Sequence, residues 1–405
     1  MVHNTMLLGG LHNNMSIRFV IIGGGSRGRT YERLLELFRA EVKLVAVCDP
    51  NSESLEYWRS KNVRLFRDIN ELIKWDNFDA AIISSPIQHH AEQSVKMLEA
   101  GKHVLCEVPA CFTLDECWKL RDVAKESKTI YMMSENYCFL REVLIILEMV
   151  KRGIFGELTY AECGYIHDVR SLLFNPDGSL TWRGRMLRDF AGICYPTHSI
   201  GPVAKWLDIG ISDEFVSLLA MKNKPKSIIK YVIENFGEDH PAAKEEFWKC
   251  GDSANALILT KRDILVTLRV DIASPRPHNL TYYHLQGTRA SYLARRGASE
   301  DSVIWIKGVS PGDSLHRSPK LAKWEPLSKY LGMYEHPWWK SVDREVIKGY
   351  HAGSDYIMLR EFLSSIKENR EPYINVYDAV TWSFIIPLSL ESIEKRKAIE
   401  FPKFR

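Results

Sequence analysis

The chain has 405 residues, of which 45% are hydrophobic and 26% charged. Its formal net charge of +3 is nearly neutral for that length, so electrostatics points to neither nucleic acid nor an anionic membrane as partner. The length exceeds one ordinary core and suits two domains.

Eight cysteines lie at 48, 106, 111, 117, 138, 163, 194 and 250, with no C-x-x-C pair. A zinc ribbon and a thioredoxin motif are thereby excluded. Buried free thiols in a reducing compartment are expected, and no disulfide framework. Residues 1–14 lack both a basic region and a long apolar run. They are read as an unstructured extension rather than a signal peptide. No stretch reaches the roughly 20 apolar residues of a membrane span. A cytoplasmic protein is expected.

Strand and helix alternate through the first third. Ile17–Ile22 is an almost continuous apolar run, as a strand buried on both faces should be. A glycine turn follows, then a helix over Tyr31–Phe38. Val42–Cys48 is the second strand and Ser52–Ser60 a helix. Asp79–Ser84 is a buried strand, and Ala91–Ala100 a helix. His103–Cys106 and Thr129–Met133 complete the series. The alternation predicts a doubly wound parallel sheet.

The pattern changes near Tyr137. Arg141–Arg152 reads as an amphipathic helix and Glu157–Ile166 as a long strand. Asn175–Ser179 is a loop, and Thr197–Leu207 a helix. Strand-like stretches then recur from Glu214 to Ile306, at Ala254–Leu259, Ile264–Val270, Leu280–Leu285 and Val303–Ile306. An open mixed or antiparallel sheet accounts for them most economically. Ser310–Pro326 reads as loop. Helices are expected over Trp338–Ile347, Asp355–Lys367 and Tyr377–Glu394, the last kinked by Pro387. The fold class is thus α/β, with a Rossmann domain over residues 15–136. A C-terminal α/β substrate domain covers 137–405, its final helices free to pack back on the first. An oligomer of identical chains through the C-terminal sheet fits this layout.

Gly23-Gly24-Gly25-Ser26-Arg27-Gly28 fits G-x-G-x-x-G. Alone the pattern is weak, since glycines also make ordinary turns. Here it follows a buried strand and opens a helix, the context a dinucleotide pyrophosphate needs. Gly23, Gly25 and Gly28 let the backbone approach, and Ser26 and Arg27 lie within the same turn. Asp49 ends the second strand, where a carboxylate binds the adenosine ribose and repels a 2′-phosphate. NAD is expected over NADP, with Arg27 the one residue arguing the other way. Ile87, Gln88, His89 and His90 follow the strand Asp79–Ser84, and Glu107 and Val108 follow the next. Strand ends of this kind face the ligand crevice. His351 and Asp355 have i, i+4 spacing but no evident third ligand, so they are read as structural and no metal is expected.

Together these segments resemble the Gfo/Idh/MocA oxidoreductases, which act on sugars. In most of that family the segment at Glu107–Pro109 reads E-K-P, with an active-site lysine where this chain has Val108. The departure resembles glycoside hydrolase family 109, the NAD-dependent α-N-acetylgalactosaminidases. The segments that carry this resemblance are Cys106–Ala110 (CEVPA), Glu135–Tyr137 (ENY), Gly153–Glu157 (GIFGE), Tyr165–Arg170 (YIHDVR), Tyr195–Val203 (YPTHSIGPV) and Tyr377–Trp382 (YDAVTW).

The resemblance implies that Asn136 joins the NAD contacts named above. It also implies that Tyr165, Arg183, Tyr195 and His198 face the sugar, with Pro196 and Thr197 in the same segment. His278 stands where the family tends to place a tyrosine, which bears on the exact sugar.

The implied reaction is redox-assisted. Carbon 3 of the sugar is oxidised, the acidified proton on carbon 2 leaves, and the aglycone departs from carbon 1. Water then adds and carbon 3 is reduced again. His198 is the leading base for the carbon-3 hydroxyl, since imidazole titrates near neutral pH. Tyr165 would move the carbon-2 proton or protonate the leaving oxygen, provided its pKa is lowered. His167 shares the strand face of Tyr165. Arg183 and Tyr195 would hold hydroxyls. Ordinary readings stand beside these: a helix-start histidine, a core tyrosine, a surface ion pair. The expected function is therefore an NAD-dependent glycosidase, with an α-N-acetylgalactosaminide-like substrate. An NAD-dependent sugar dehydrogenase and a non-enzymatic sensor are the alternatives.

Overall fold

The computed structural model describes residues 16–404 except 278, 298, 314, 316–320, 341, 344, 345, 347, 348 and 350. The extension expected over residues 1–14 and the site residue His278 fall outside these described residues. The chain divides into two compact units, residues 1–84 and 85–405.

The first unit contains β1 (Ile17–Ile22), α1 (Ser26–Glu36), β2 (Val42–Cys48), α2 (Ser52–Glu56), β3 (Arg64–Phe66), α3 (Ile69–Trp75) and β4 (Ala80–Ile83). β1 pairs in parallel with β2 and β4, and β2 with β3. Phe19–Ile22 and Ala80–Ile83 are buried throughout, which is why both stretches are apolar on both faces. α1 starts at Ser26 rather than Tyr31, so the glycine turn runs straight into it. The helix expected over Ser52–Ser60 is split into α2 and a tighter 3-10 turn at Tyr57–Ser60. That turn carries Trp58, whose buried Nε1 donates to the carbonyl of Gly24 at 2.8 Å.

The second unit opens with α4 (His90–Glu99), β5 (His103–Cys106), α5 (Leu114–Glu126) and β6 (Tyr131–Met133). The parallel strands run in the order β3-β2-β1-β4-β5-β6, a six-stranded Rossmann-like sheet. α6 (Arg141–Lys151), β7 (Leu158–Ile166), α7 (Trp182–Asp189), α8 (Thr197–Trp206), β8 (Phe215–Lys222) and α9 (Lys226–Phe236) follow. Next come β9 (Ser253–Thr260), β10 (Leu265–Asp271), β11 (Asn279–Gly287), β12 (Ala290–Leu293), β13 (Val303–Ile306) and β14 (Glu325–Pro326). The unit closes with α10 (Leu331–Tyr334), α11 (Ser354–Glu368), α12 (Val376–Ser383), α13 (Ile385–Lys395) and β15 (Ile399–Glu400).

The second sheet has nine strands in the order β14-β13-β12-β11-β7-β10-β9-β8-β15. β7 and β10 are parallel and their neighbours antiparallel, so the sheet is mixed. One face lies under α8 and α13. Ala161, Cys163, Leu218, Ile258, Val266 and Leu268 fill that side. α8 is fixed from below by Trp206, whose Nε1 donates to the carbonyl of Val143 at 2.9 Å. α12 packs against α5 and β6, and Ser383 Oγ accepts the amide of Ala110 at 3.0 Å. The last residues are tied in the same way. β15 pairs with β8, Phe404 stacks on Trp118 of α5, and Arg121 donates to the Phe404 carbonyl.

Four expectations are corrected. α7 and α9 lie where no helix was foreseen. In α9 the β-branched residues imitate a strand, but the buried positions Ile228 and Val232 stand four apart, on one helical face. Of the helix expected over Trp338–Ile347, the described residues show a 3-10 turn at Pro337–Trp339, no helix at 340, 342 and 343, and helix at Val346; the rest of the stretch lies outside the described residues. The final helix does not kink at Pro387 but breaks at Phe384. Proline at 387 has no N–H for the carbonyl of Ser383, so the break comes three residues earlier, just after Ser383. Finally, Cys111 and Cys117 form a disulfide, because the turn before α5 brings their Cα atoms to 5.5 Å. The other six cysteines are free and buried.

Candidate active site

The glycine turn of the first unit is shaped for an anion. Gly25 caps α1 and, as glycine, brings no side chain to bond the helix's first amides. An added Cβ at Gly25 would meet nothing within 4 Å. At Gly28 it would stand 2.2 Å from the carbonyl oxygen of Gly23, so only glycine closes the turn. No acidic residue occupies the first turn of α1. A pyrophosphate therefore fits the positive end of the helix. Arg27 folds back over Tyr31, its Cζ 4.7 Å from the ring centroid. Asp49 closes the turn from β2. Its Oδ2 accepts the amide of Gly24 and its Oδ1 that of Asn51, both at 2.8 Å. Each oxygen keeps a lone pair for a ribose hydroxyl.

A ring of aromatic side chains forms within the second unit. β6 ends at Met133, and the chain turns through Ser134, Glu135 and Asn136. Glu135 is completely buried. Its Oε1 lies 2.6 Å from His198 Nδ1. His198 sits in the first turn of α8. Tyr137 stacks on its imidazole at 4.2 Å between centroids, and Tyr195 and Tyr165 lie at 5.2 and 5.4 Å. Tyr165 and Tyr195 are 5.3 Å apart. His167, just past the end of β7, meets Tyr165 edge-on at 5.4 Å. Arg183 on α7 lies between Trp182 and Tyr195, its Cζ 5.8 Å from the Tyr195 centroid. Sequence-distant residues from β7, α7, α8 and the β6 turn thus converge.

The phenols are held protonated. Burial raises the pKa of Tyr165, Arg183 pulls it back, and the charge of Glu135 pushes it up again. Burial also raises Tyr195 well above its ordinary value, with Tyr165 and Glu107 adding to the effect. The lowered pKa on which a base role for Tyr165 depended is absent. Near neutral pH both hydroxyls are donors.

A model of the oxidoreductase family with an NAD-binding Rossmann fold matches residues 17–135. A model of the glycosyl hydrolase 109 C-terminal domain matches residues 139–405. A glycosyl hydrolase family 109 protein of Solibacter usitatus is 32% identical, over 96% of this chain and 89% of its own. The chain belongs to glycoside hydrolase family 109.

A family 109 relative from Tannerella forsythia, named alpha-N-acetylgalactosaminidase, is 30% identical over 96% of this chain and 86% of its own. A solved levoglucosan dehydrogenase in complex with NADH has a TM-score of 0.73 at 17% identity. It covers 96% of this chain and all of that one. The myo-inositol 2-dehydrogenase of Lactobacillus plantarum gives 0.65 at 16%, with the same coverage. These two likenesses show the fold. The N-terminal part of this family 109 chain is an NAD-binding Rossmann domain.

The structure brings Tyr165, His167, Arg183, Tyr195 and His198 together. Pro196 and Thr197 precede and open α8, but both are buried, and Thr197 is fully enclosed. Among the candidate cofactor residues of this unit, Gln88 and His89 are exposed and Glu107 half-buried. Ile87, Val108 and Asn136 are buried. His90 is also buried, with its two ring nitrogens 2.8 Å from the carbonyls of Pro109 and Ser85. Burial lowers its pKa, and its ring serves to hold the Glu107–Ala110 segment. Asn136 Nδ2 donates to Asp355 Oδ1 at 2.8 Å, and Asp355 Oδ2 pairs with His351.

Two residues in contact with His198, Glu135 and Tyr137, were given no site role from the sequence, although their segment carries the resemblance. They follow β6 at its C-terminal end. The rule that such ends face the ligand crevice, applied to β4 and β5, would have found them here.

Proposed function

We propose that this family 109 chain is an NAD-dependent glycosidase that oxidises its sugar transiently at carbon 3, with an α-N-acetylgalactosaminide-like substrate. The observation that carries this reading is the ring of Tyr137, Tyr165 and Tyr195 around His198, with Arg183 beside it. Aromatic faces and donor hydroxyls suit a sugar. A carboxylate glycosidase needs two acids flanking the scissile bond. Glu135, the carboxylate bonded to the ring, is fully buried and engaged by His198.

The Gly23–Gly28 turn and Asp49 would hold NAD, with Glu107, Val108, Asn136 and the Ile87–His90 segment as further contacts. Bound NAD supplies a reversible hydride acceptor. The chain's own residues do the rest. His198 takes and returns the proton of the carbon-3 hydroxyl. Tyr165, held protonated, gives a proton to the departing glycosidic oxygen. His167 lies beside Tyr165 and takes the carbon-2 proton. Arg183 and Tyr195 orient ring hydroxyls.

Nitrophenyl α- and β-glycosides, assayed in heavy water, test this reading. Cleavage with deuterium placed at carbon 2 and no net NADH supports it. Cleavage without exchange at carbon 2 overturns the elimination route. Free sugar oxidised with net NADH makes the chain a dehydrogenase.

We also infer that a second copy covers the open face of the nine-stranded sheet. Leu219, Leu257 and Thr267 stand in one row across β8, β9 and β10, and Leu259 and Leu265 in the next. Met221 is 70% exposed and Leu257 46%. An apolar sheet face of this kind calls for cover. Light scattering after size exclusion should show a dimer or larger, shifted toward monomer by Leu257→Lys. A wild-type monomer at high concentration overturns it.

A further inference from the structure

We infer that Glu135 is the positioning residue that fixes His198 as its Nδ1–H tautomer and presents Nε2 to the substrate. The inference rests on the proposed role of His198 and deepens it. An ionised carboxylate can only accept. With Glu135 ionised, the 2.6 Å contact with its Oε1 puts the hydrogen on His198 Nδ1. Neutral imidazole carries one hydrogen, so Nε2 is left with its lone pair.

Both partners are held from several sides. Glu135 Oε1 also accepts the amide of Tyr137 at 3.2 Å. Tyr137 in turn stacks on the imidazole, so one short segment fixes the ring's edge and its face. Tyr283 donates its hydroxyl to the carbonyl of His198. Gly201 stands three residues along α8, on the same side of the helix as His198. An added Cβ there would lie 3.0 Å from Glu135 Cγ and 3.1 Å from Cys138 Sγ. The missing side chain is what lets the carboxylate come up beside α8.

Glu135 Oε2 is buried and has no hydrogen-bond partner. The carboxylate's side-chain partner is thus the imidazole. A proton taken at Nε2 would create a cation 2.6 Å from that carboxylate. This is the division of labour of an acid–histidine pair, in which the acid orients the ring and steadies its charge without accepting the proton.

The test uses the NAD-loaded protein with 15N-labelled histidine, whose long-range proton–nitrogen correlations report the tautomer. Wild type should show His198 protonated at Nδ1 alone. Glu135→Leu should populate the Nε2–H form and lower kcat by about a hundredfold or more, with KM changed little. Glu135→Gln retains an acceptor oxygen, so it should keep the Nδ1–H form and recover part of kcat. Wild-type His198 protonated at Nε2 overturns the inference, even if the leucine variant fails to fold. Equal kcat in all three proteins also overturns it. Nδ1–H in a wild type that cleaves no glycoside supports the positioning role while the functional reading fails.

Discussion

Asp49 reaches back from the end of β2 to take the amide of Gly24 on its Oδ2 at 2.8 Å. The same carboxylate thus shapes the glycine turn and is the proposed partner of the adenosine ribose. Asp49→Ala should weaken NAD binding about tenfold or more, the usual effect of losing a hydrogen bond to a charged group. NADP should lose less affinity, since its 2′-phosphate no longer meets a negative charge. Titration of both dinucleotides checks this. An unchanged ratio of the two affinities would sink the ribose assignment.

Gly28→Ala is a sharper probe of the same turn. Its Cβ would lie 2.2 Å from the Gly23 carbonyl oxygen, and backbone cannot yield as a long side chain can. The turn must open, at a cost of about 1–3 kcal/mol. A lower melting temperature and lost NAD binding are expected together. A variant that binds NAD with wild-type affinity would mean that the turn is not the pyrophosphate site.

Tyr165→Phe keeps the aromatic ring and removes the proton donor. The packing of Tyr165 against Tyr195, His167 and His198 should survive. Melting should therefore change little, while kcat falls about 10²–10⁴-fold if the hydroxyl is the general acid. Aryl glycosides with better leaving groups need less protonation and should lose less. A uniform loss across leaving groups would argue against this role.

Asp168 gives a pH signature. Arg170 grips its carboxylate through Nε at 2.8 Å and Nη2 at 2.6 Å, and this bonding lowers its pKa. The folded value lies below the unfolded one, so the charged form stabilises the fold above about pH 4. That contribution is lost as the pH falls through the lowered folded value. Asp168→Asn should thus melt below wild type at neutral pH, and the gap should close in acid. Thermal melts over a pH series test this, and a gap that stays constant would rule it out.

The Rossmann half was legible because its strands are uniform. IRFVII and VKLVAVC are read to the residue, since burial on both faces leaves no choice of register. The C-terminal half was harder. Its strands are half exposed, and Lys226–Phe236 carries β-branched residues on a helix. Tyr165 lies at the end of β7 and His167 follows two residues on, so their proximity is local and predictable. The approach of Glu135 to His198 is not. It spans a sequence separation of 63 residues and depends on Gly201, which no periodicity marks. The upward shift of the Tyr165 phenol was hidden for a related reason. A sequence names the phenol, but only the packed site shows that burial holds its proton on.

The family models meet between residues 135 and 139, yet the chain does not come apart there. α12, deep in the second matched segment, lies against α5 and β6, which belong to the first. Ser383 caps the amide of Ala110, and Arg121 and Trp118 anchor the tail at Phe404. Recognition by sequence and autonomy in folding therefore divide this protein differently. Residues 139–405 expressed alone would bare the α12 flank and release the tail, and should aggregate. A fragment that starts before β5 would carry its own cover.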